Sequence, residues 1–260
     1  MDEVTIRLTA FVGLFALFAG LERIAPREPA VRRQGRWGTN LAMTVLDALA
    51  LRALAVLLPA LAVGAAVDAQ VQGWGLFNQL GWPGWVEVML AVLGLDFAIW
   101  AQHWLTHRVP LFWRFHRVHH ADRDFDVTTA VRFHPVEIAA SMLLKIGLIY
   151  ALGPAAVAVL VFEVLLNGTS LFNHANIALP RGVDRVVRWV LVTPDMHRVH
   201  HSTERAEHNS NYGFALSVWD RVFGTYRAQG RDGMKVGLEW QDERPTRLGW
   251  SLMLPFRSRG

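Results

Sequence analysis

Apolar residues gather along this chain into a few long runs separated by polar stretches, and the run lengths predict helices that cross a membrane. The first run covers about Val4 to Ile24, with Arg7 and Glu22 near its ends. It is long enough to cross a hydrocarbon layer of about 30 Å. A second spans about Leu41 to Val67 and carries Asp47 and Arg52, which are placed to pair inside a bundle. A third covers about Trp85 to Trp104 with Asp96 inside it. Residues Arg108 to Phe133 are polar, basic and aromatic and belong outside the hydrocarbon. Pro135 suits the first turn of a further helix, which runs to about Leu152, where Gly153-Pro154 breaks it. A last apolar helix follows from about Ala155 to Phe172, giving a tight transmembrane or re-entrant hairpin. After Asn176 no run reaches membrane length, so residues 177–260 are expected to form a soluble, mostly helical cap.

Composition agrees with this pattern. Hydrophobic residues make up 52% and charged residues 18%, with a mean hydropathy of +0.23, a membrane-protein balance. The absence of cysteine excludes disulfides, Cys-ligated zinc or iron–sulfur sites and a thiol nucleophile. The net charge of +4 rests almost entirely on arginine, the only lysines being Lys145 and Lys235. No basic face interleaves with stacking aromatics, so no nucleic-acid partner is expected, and the arginines read as membrane-surface and topology charge. Met1-Asp-Glu lacks the positive start of a cleavable signal, so the first run is expected to remain as a span. The loop with Arg23, Arg27, Arg32, Arg33 and Arg36 should be cytoplasmic, and the nearly neutral loop 68–84 should not. Threading the runs from that assignment brings the end of the third run and the end of the hairpin to one cytoplasmic face.

That face is where the candidate chemistry lies. All eleven histidines fall between positions 103 and 208. His103 and His107 are four residues apart, and the phrase His-Arg-Val-His-His occurs twice, as His116/His119/His120 and His197/His200/His201. Residues i, i+3 and i+4 share one side of a helix, so each phrase offers three imidazoles together. Imidazole ligates Zn, Fe, Cu or Ni, and eight such ligands exceed what one metal takes, which predicts a two-metal site. Asp96, Glu137, Asn176 and Asp195 are expected to fix the outer imidazole nitrogens, a role that Asp122 and Asp126 could share. Thr193-Pro194-Asp195 is a helix start ahead of His197. An all-nitrogen site beside a bilayer suits redox iron handling O₂, and zinc would suit hydrolysis. Spacing alone leaves the metal open.

The three clusters, in this order around an apolar hairpin, resemble the fatty acid hydroxylase/sterol desaturase superfamily of integral-membrane di-iron enzymes. The resemblance runs from about Asp96 to Tyr226. It is supported by Arg132-Phe-His134-Pro135-Val-Glu137, by Phe172-Asn-His174-Ala-Asn176, and by Asn211-Tyr-Gly213 with Trp219-Asp-Arg-Val-Phe-Gly-Thr-Tyr226. It implies two non-haem irons near the cytosolic membrane surface, held by the eight cluster histidines together with His134 and His174, five nitrogens per iron. It further implies O₂-dependent hydroxylation or desaturation of an unactivated lipid C–H, of sterol, fatty-acyl or ether-lipid type. Electrons would come from a separate carrier of cytochrome b5 or ferredoxin type, since the chain shows neither such a segment nor a flavin or NAD fingerprint. His208 matches none of the family's phrases and is expected to be solvated.

The expected fold is therefore all-α: a polytopic membrane protein with four to five transmembrane helices and a cytosolic helical cap carrying a His-rich dimetal site. The expected division is an N-terminal transmembrane region over 1–95, the family-like domain over 96–226 and a cytosolic tail over 227–260. The membrane is a bacterial inner membrane or the endoplasmic reticulum. A zinc-dependent intramembrane hydrolase and a metal-binding transporter are the alternatives. The clustering of histidines at one face counts against a transport pathway.

Overall fold

The computed structural model describes residues 2–29, 35–58, 60–240 and 242–258, so Arg32 and Arg33 of the basic loop lie outside the described residues. In chain order the helices are α1 (Glu3–Ile24), α2 (Arg36–Leu57), α3 (Ala62–Gln72), α4 (Leu76–Gln79), α5 (Gly84–Arg108), α6 (Pro110–His120), α7 (Pro135–Leu152) and α8 (Ala156–His174). Five short ones follow: α9 (Arg181–Val187), α10 (Pro194–His200), α11 (Arg205–His208), α12 (Val218–Val222) and α13 (Leu248–Met253). No β-strand occurs among the described residues, where pairing is limited to isolated bridges. The fold is an all-α polytopic membrane protein with five segments long and apolar enough to span: α1, the stretch Arg36–Gln79, α5, α7 and α8.

The second of these differs from its expected form. The apolar run does not continue as one helix to Val67. Leu58 leaves the helix with φ −113° and ψ 146°. A proline follows it in sequence, and the residue before a proline is pushed from helical into extended backbone. The 11-residue α3 rises only about 16 Å, roughly half a bilayer core. Its small face (Ala62, Ala65 and Ala66) packs against Met142 and Ile149 of α7 and Val159 of α8. No ion pair joins Asp47 to Arg52. The ionic contact inside the bundle is made instead by buried Glu163 of α8, which accepts from Lys145 Nζ at 2.8 Å and faces Arg7 Nη1 at 3.2 Å.

The expected hairpin forms, and its tip needs glycine. Gly153 has φ +65°, and a Cβ there would stand 2.4 Å from the Trp74 carbonyl oxygen. Glu87 of α5 accepts from the Ala155 amide at 2.6 Å and ties the tip to the third span.

At the opposite end, two buried side chains join loops to spans. Glu22, at the end of α1, accepts from the amides of Val127 and Asn176, each at 2.7 Å. Arg132, fully buried, donates to the Val118 carbonyl, Asn40 Oδ1 and Ser251 Oγ. The segment beyond 226 is anchored rather than trailing: Trp250 and Leu254 share a core with Met43, Val118 and Ala121. Arg117 also donates to the carbonyls of Leu254 (2.6 Å) and Arg257 (2.7 Å). The region after 176 contains short helices joined by turns rather than the mostly helical cap expected, since its apolar residues never sustain a helical period over more than two turns.

Candidate metal centre

α5 and α8 deliver His103, His107 and His174 at their ends, and α6 and α10 lie across them. The two amphipathic phrases start well. Pro110 and Pro194 occupy first turns, and Thr193 Oγ1 accepts from the Met196 amide at 3.4 Å, with Asp195 beside it. The histidines of α6 and α10 then meet in two groups. His103, His107, His116, His120 and His200 form one; His119, His174, His197 and His201 form the other. Within each group the ligand atoms lie within 4.8 Å of one another.

The partition follows helix geometry more closely than sequence phrases do. Pairs four apart stay together: His103/His107, His116/His120 and His197/His201. The remaining member of each phrase crosses over, His119 joining the α10 pair and His200 the α6 pair. Adjacent positions on a helix diverge by about 100°, so His119 and His120 face different groups, as do His200 and His201.

Five imidazoles are fixed from behind. His103 Nδ1 pairs with the Tyr212 carbonyl (2.7 Å), His116 Nδ1 with Glu137 Oε1 (2.6 Å) and His119 Nδ1 with the Arg132 carbonyl (3.2 Å). His174 Nδ1 meets the Ser170 carbonyl and His200 Nδ1 the Ser210 carbonyl, each at 2.8 Å. These partners only accept, so each Nδ1 must donate, and each Nε2 presents a lone pair inward. Outside the spans, burial with crowding by neighbouring imidazoles holds His119, His120, His197, His200 and His201 well below the ordinary imidazole value. They are neutral, which is the metal-binding form.

The inward nitrogens fit metal ions. His103 Nε2 and His116 Nε2 stand 3.0 Å apart, and His174 Nε2 stands 3.1 Å from both His119 Nε2 and His197 Nε2. Where both nitrogens carry lone pairs, such an approach is repulsive unless a cation lies between them. With metal–nitrogen bonds of about 2.1 Å, neighbouring corners of a square or octahedral arrangement lie ~3.0 Å apart, against ~3.4 Å for a tetrahedron. Both nitrogens of His107, His120 and His201 are buried without a partner, as are His197 Nδ1 and His200 Nε2. Each such orphan costs about 1–3 kcal/mol, a deficit that bound metal would remove.

Several expected roles fall elsewhere. His134 joins neither group. Its Nδ1 accepts from the Val136 amide at 3.2 Å as the N-cap of α7, and its Nε2 meets the Leu252 carbonyl at 3.2 Å. Among the expected supporting residues, only Glu137 touches an imidazole. Asp96 accepts from Trp219 Nε1 (2.8 Å), Asn176 from the Glu28 amide (3.1 Å) and Arg198 Nη2 (2.8 Å), and Asp195 from Arg27 Nε (2.9 Å). Asp122 and Asp126 hold Arg36, between α2 and the loop after α6. His208 is buried rather than solvated. It stacks on Trp113 and lies 5.7 Å from the His107 ring, and burial brings its pKa down to about 4.

The support missed from sequence comes from backbone. Asp220 accepts from the Tyr212 and Gly213 amides (2.8 Å each), from Thr225 Oγ1 (2.6 Å) and from Trp100 Nε1 (3.1 Å), and so fixes the loop whose carbonyl orients His103. Asn211 opens that loop at φ 53°, a left-handed conformation asparagine tolerates. Its amide donates to the carbonyls of Met196 and Arg227 at 2.9 Å. The phrases Asn211-Tyr-Gly213 and Trp219 to Tyr226 were the available signal, but they served only to support the resemblance and gave no sign of a role behind His103.

The fold and site define a membrane protein with a paired histidine centre at the ends of its spans. Residues 88–225 match the family model described as fatty acid hydroxylase, and the chain belongs to that family, within the fatty acid hydroxylase/sterol desaturase superfamily. It is 28% identical over 219 residues to the ornithine lipid hydroxylase OlsE of Rhizobium tropici, covering 83% of this chain and 65% of that one. To the alkylglycerol monooxygenase of Homo sapiens it is 31% identical over 159 residues, covering 61% and 34%. To the very-long-chain aldehyde decarbonylase GL1-6 of Oryza sativa subsp. japonica it is 27% identical over 188 residues, covering 68% and 28%. The chain thus spans less than two thirds of the length of these relatives. No solved structure matches it.

Proposed function

We propose that this protein is an oxidoreductase that hydroxylates a membrane lipid at an unactivated C–H. It would use two irons, O₂ and electrons from a separate carrier of cytochrome b5 or ferredoxin type. The observation that carries the reading is the pair of imidazole groups, five and four strong, whose inward nitrogens approach at separations suited to five- or six-coordinate metal. His103, His107, His116, His120 and His200 would hold one iron, and His119, His174, His197 and His201 the other. With iron bound, the centre would supply O₂ activation and an oxidant strong enough for hydrogen abstraction. The chain does the rest. The ends of α5 and α8 set the centre beside the hydrocarbon, where lipid is at hand. Burial excludes bulk water. The Glu137 carboxylate and four carbonyls keep the Nδ1 protons in place, so the Nε2 lone pairs stay aimed inward.

The names of the relatives, an ornithine lipid hydroxylase and an alkylglycerol monooxygenase, favour oxygenation over desaturation and a lipid carrying a head group. The five nitrogens of the larger group exceed the four ligands of tetrahedral zinc, which favours iron. The arginines near the end of α1 support a cytosolic location for the centre and for residues 227–260, in a bacterial inner membrane or the endoplasmic reticulum. The division into 1–95, 96–226 and 227–260 is kept, the last packed on α2 and α6.

Mass spectrometry of cellular lipids, comparing the natural chain with a His119→Ala/His200→Ala variant, tests this. A lipid heavier by one oxygen that disappears with the variant is expected. A product lighter by two hydrogens would make the enzyme a desaturase, and identical lipid profiles would contradict the catalytic proposal.

A further inference from the structure

The cap carries an apolar surface that the buried centre does not account for. Val183, Val186, Trp189 and Val190 lie along one side of α9 and the turn after it, with Val186 70% and Trp189 65% exposed. Val222 (65%) and Phe223 (50%) continue the surface from α12. Hydrogen bonds make the two pieces one unit: the Ser217 amide donates to the Val190 carbonyl at 3.0 Å, and Arg221 Nη2 to the Arg188 carbonyl at 2.8 Å. The Arg221 guanidinium lies 4.3 Å over the Trp189 ring.

Its position relative to α5 says what covers it. Trp82 and Trp85 flank the start of that span, and Trp104, under the Arg108 guanidinium, marks its other end. Aromatic and arginine side chains of this kind mark the two membrane interfaces. At 1.5 Å per residue, Phe97 then lies about 10 Å inside the level of Trp104. That is where α12 touches the span. Trp219 Nε1 bonds Asp96 at 2.8 Å, Phe223 stacks on Trp100 at 4.5 Å, and Phe97 lies 5.1 Å from Trp219 and 5.7 Å from Phe223. Phe97 is itself 37% exposed, so the surface is continuous with the lipid-facing side of α5. Within α9, Arg181 and Arg185 are exposed and have no ion-pair partner among the described residues, a charge suited to anionic head groups.

We infer that α9 and α12 form a monotopic element that enters the same leaflet as the end of α5, with Val186, Trp189, Val222 and Phe223 among acyl chains and Arg181 and Arg185 at anionic phospholipid head groups. The 177–226 region is then not a cap held clear of the membrane. Apolar side chains and cations at an interface bind through buried area plus charge attraction. The same α12 carries Asp220, so the element seated in lipid also fixes the Tyr212 carbonyl on which His103 turns. The inference rests on the membrane fold alone and holds whichever metal the centre takes.

The cysteine-free sequence makes the test direct. Single variants Val186→Cys and Val222→Cys would carry a nitroxide label, with the full chain in phosphatidylcholine/phosphatidylglycerol nanodiscs. Collision rates with O₂, which enters lipid, and with a water-soluble nickel chelate give depth. Leu49→Cys on the outer face of α2 is the lipid reference, and Lys235→Cys the aqueous one. Both test labels should match Leu49→Cys, with an O₂-to-nickel ratio several-fold above that of Lys235→Cys. A ratio at either label equal to that of Lys235→Cys would overturn the inference. So would low collision with both reagents, which would indicate cover by protein.

Discussion

The two imidazole groups are built from the same phrases yet are not alike. The first gathers five nitrogens, with His103, His116 and His200 locked from behind by a carbonyl, a carboxylate and a carbonyl. A small pocket of about 40 Å³ beside His208 and Trp113 reaches its His107. The second gathers four nitrogens, two of them locked, and lies behind Phe125, whose ring stands 5.0 Å from His201 at the wall of a cleft of about 1260 Å³. Were each group to hold a metal, the set short by one would leave a position for something other than protein. The difference teaches that doubling a motif need not double a site: the fold trades one histidine between the phrases and adds support unequally.

The largest expected effect comes from cutting the weaker group. His201→Ala leaves three nitrogens there, whereas His107→Ala leaves four in the other. Lipid product per cell should fall at least ~100-fold for His201→Ala, no less than the upper end of the loss typical when a mere outer partner of a metal ligand is removed, and less for His107→Ala. Equal losses would show that the groups do not differ in this way.

A carboxylate comparison sharpens the point. Glu137→Gln removes the charge behind His116 and should lower activity or metal affinity ~10–100-fold. Asp96→Asn touches no imidazole, acting on Trp219 of α12, and should cost less than Glu137→Gln, a few-fold, read in the same assay. The smallest effect concerns His134. If it is the cap of α7 rather than a ligand, His134→Asn keeps the metal content and thermal stability nearly unchanged. His134→Ala should lower stability by about 1 kcal/mol, measured by thermal unfolding in detergent, again with the metal content intact.

Much of this was legible from residues. Run lengths placed α1, α5, α7 and α8 within a few positions. The second run was placed less well: helix begins at Arg36 rather than Leu41 and continues to Gln72 rather than Val67, and the break at Leu58 sits before a proline whose effect on its neighbour went unread. The imidazole count predicted two metals, and the histidines do gather into two groups in which pairs four apart stay together. The crossover of His119 and His200 was not legible, because spacing describes one helix and the partition depends on how two helices cross. The support for His103, His119, His174 and His200 was hidden for a different reason: it comes from carbonyls, which every residue has. His134 and His208 show the converse, that one side-chain chemistry caps a helix or packs on tryptophan as readily as it ligates metal.

The central claim is a pair of unequal iron-binding groups, and metal content tests it most directly. Elemental analysis of the purified natural chain and of His201→Ala should give two irons per chain for the first and one for the second. One metal atom in the natural chain, or two zinc atoms with activity retained in iron-free buffer, would contradict it.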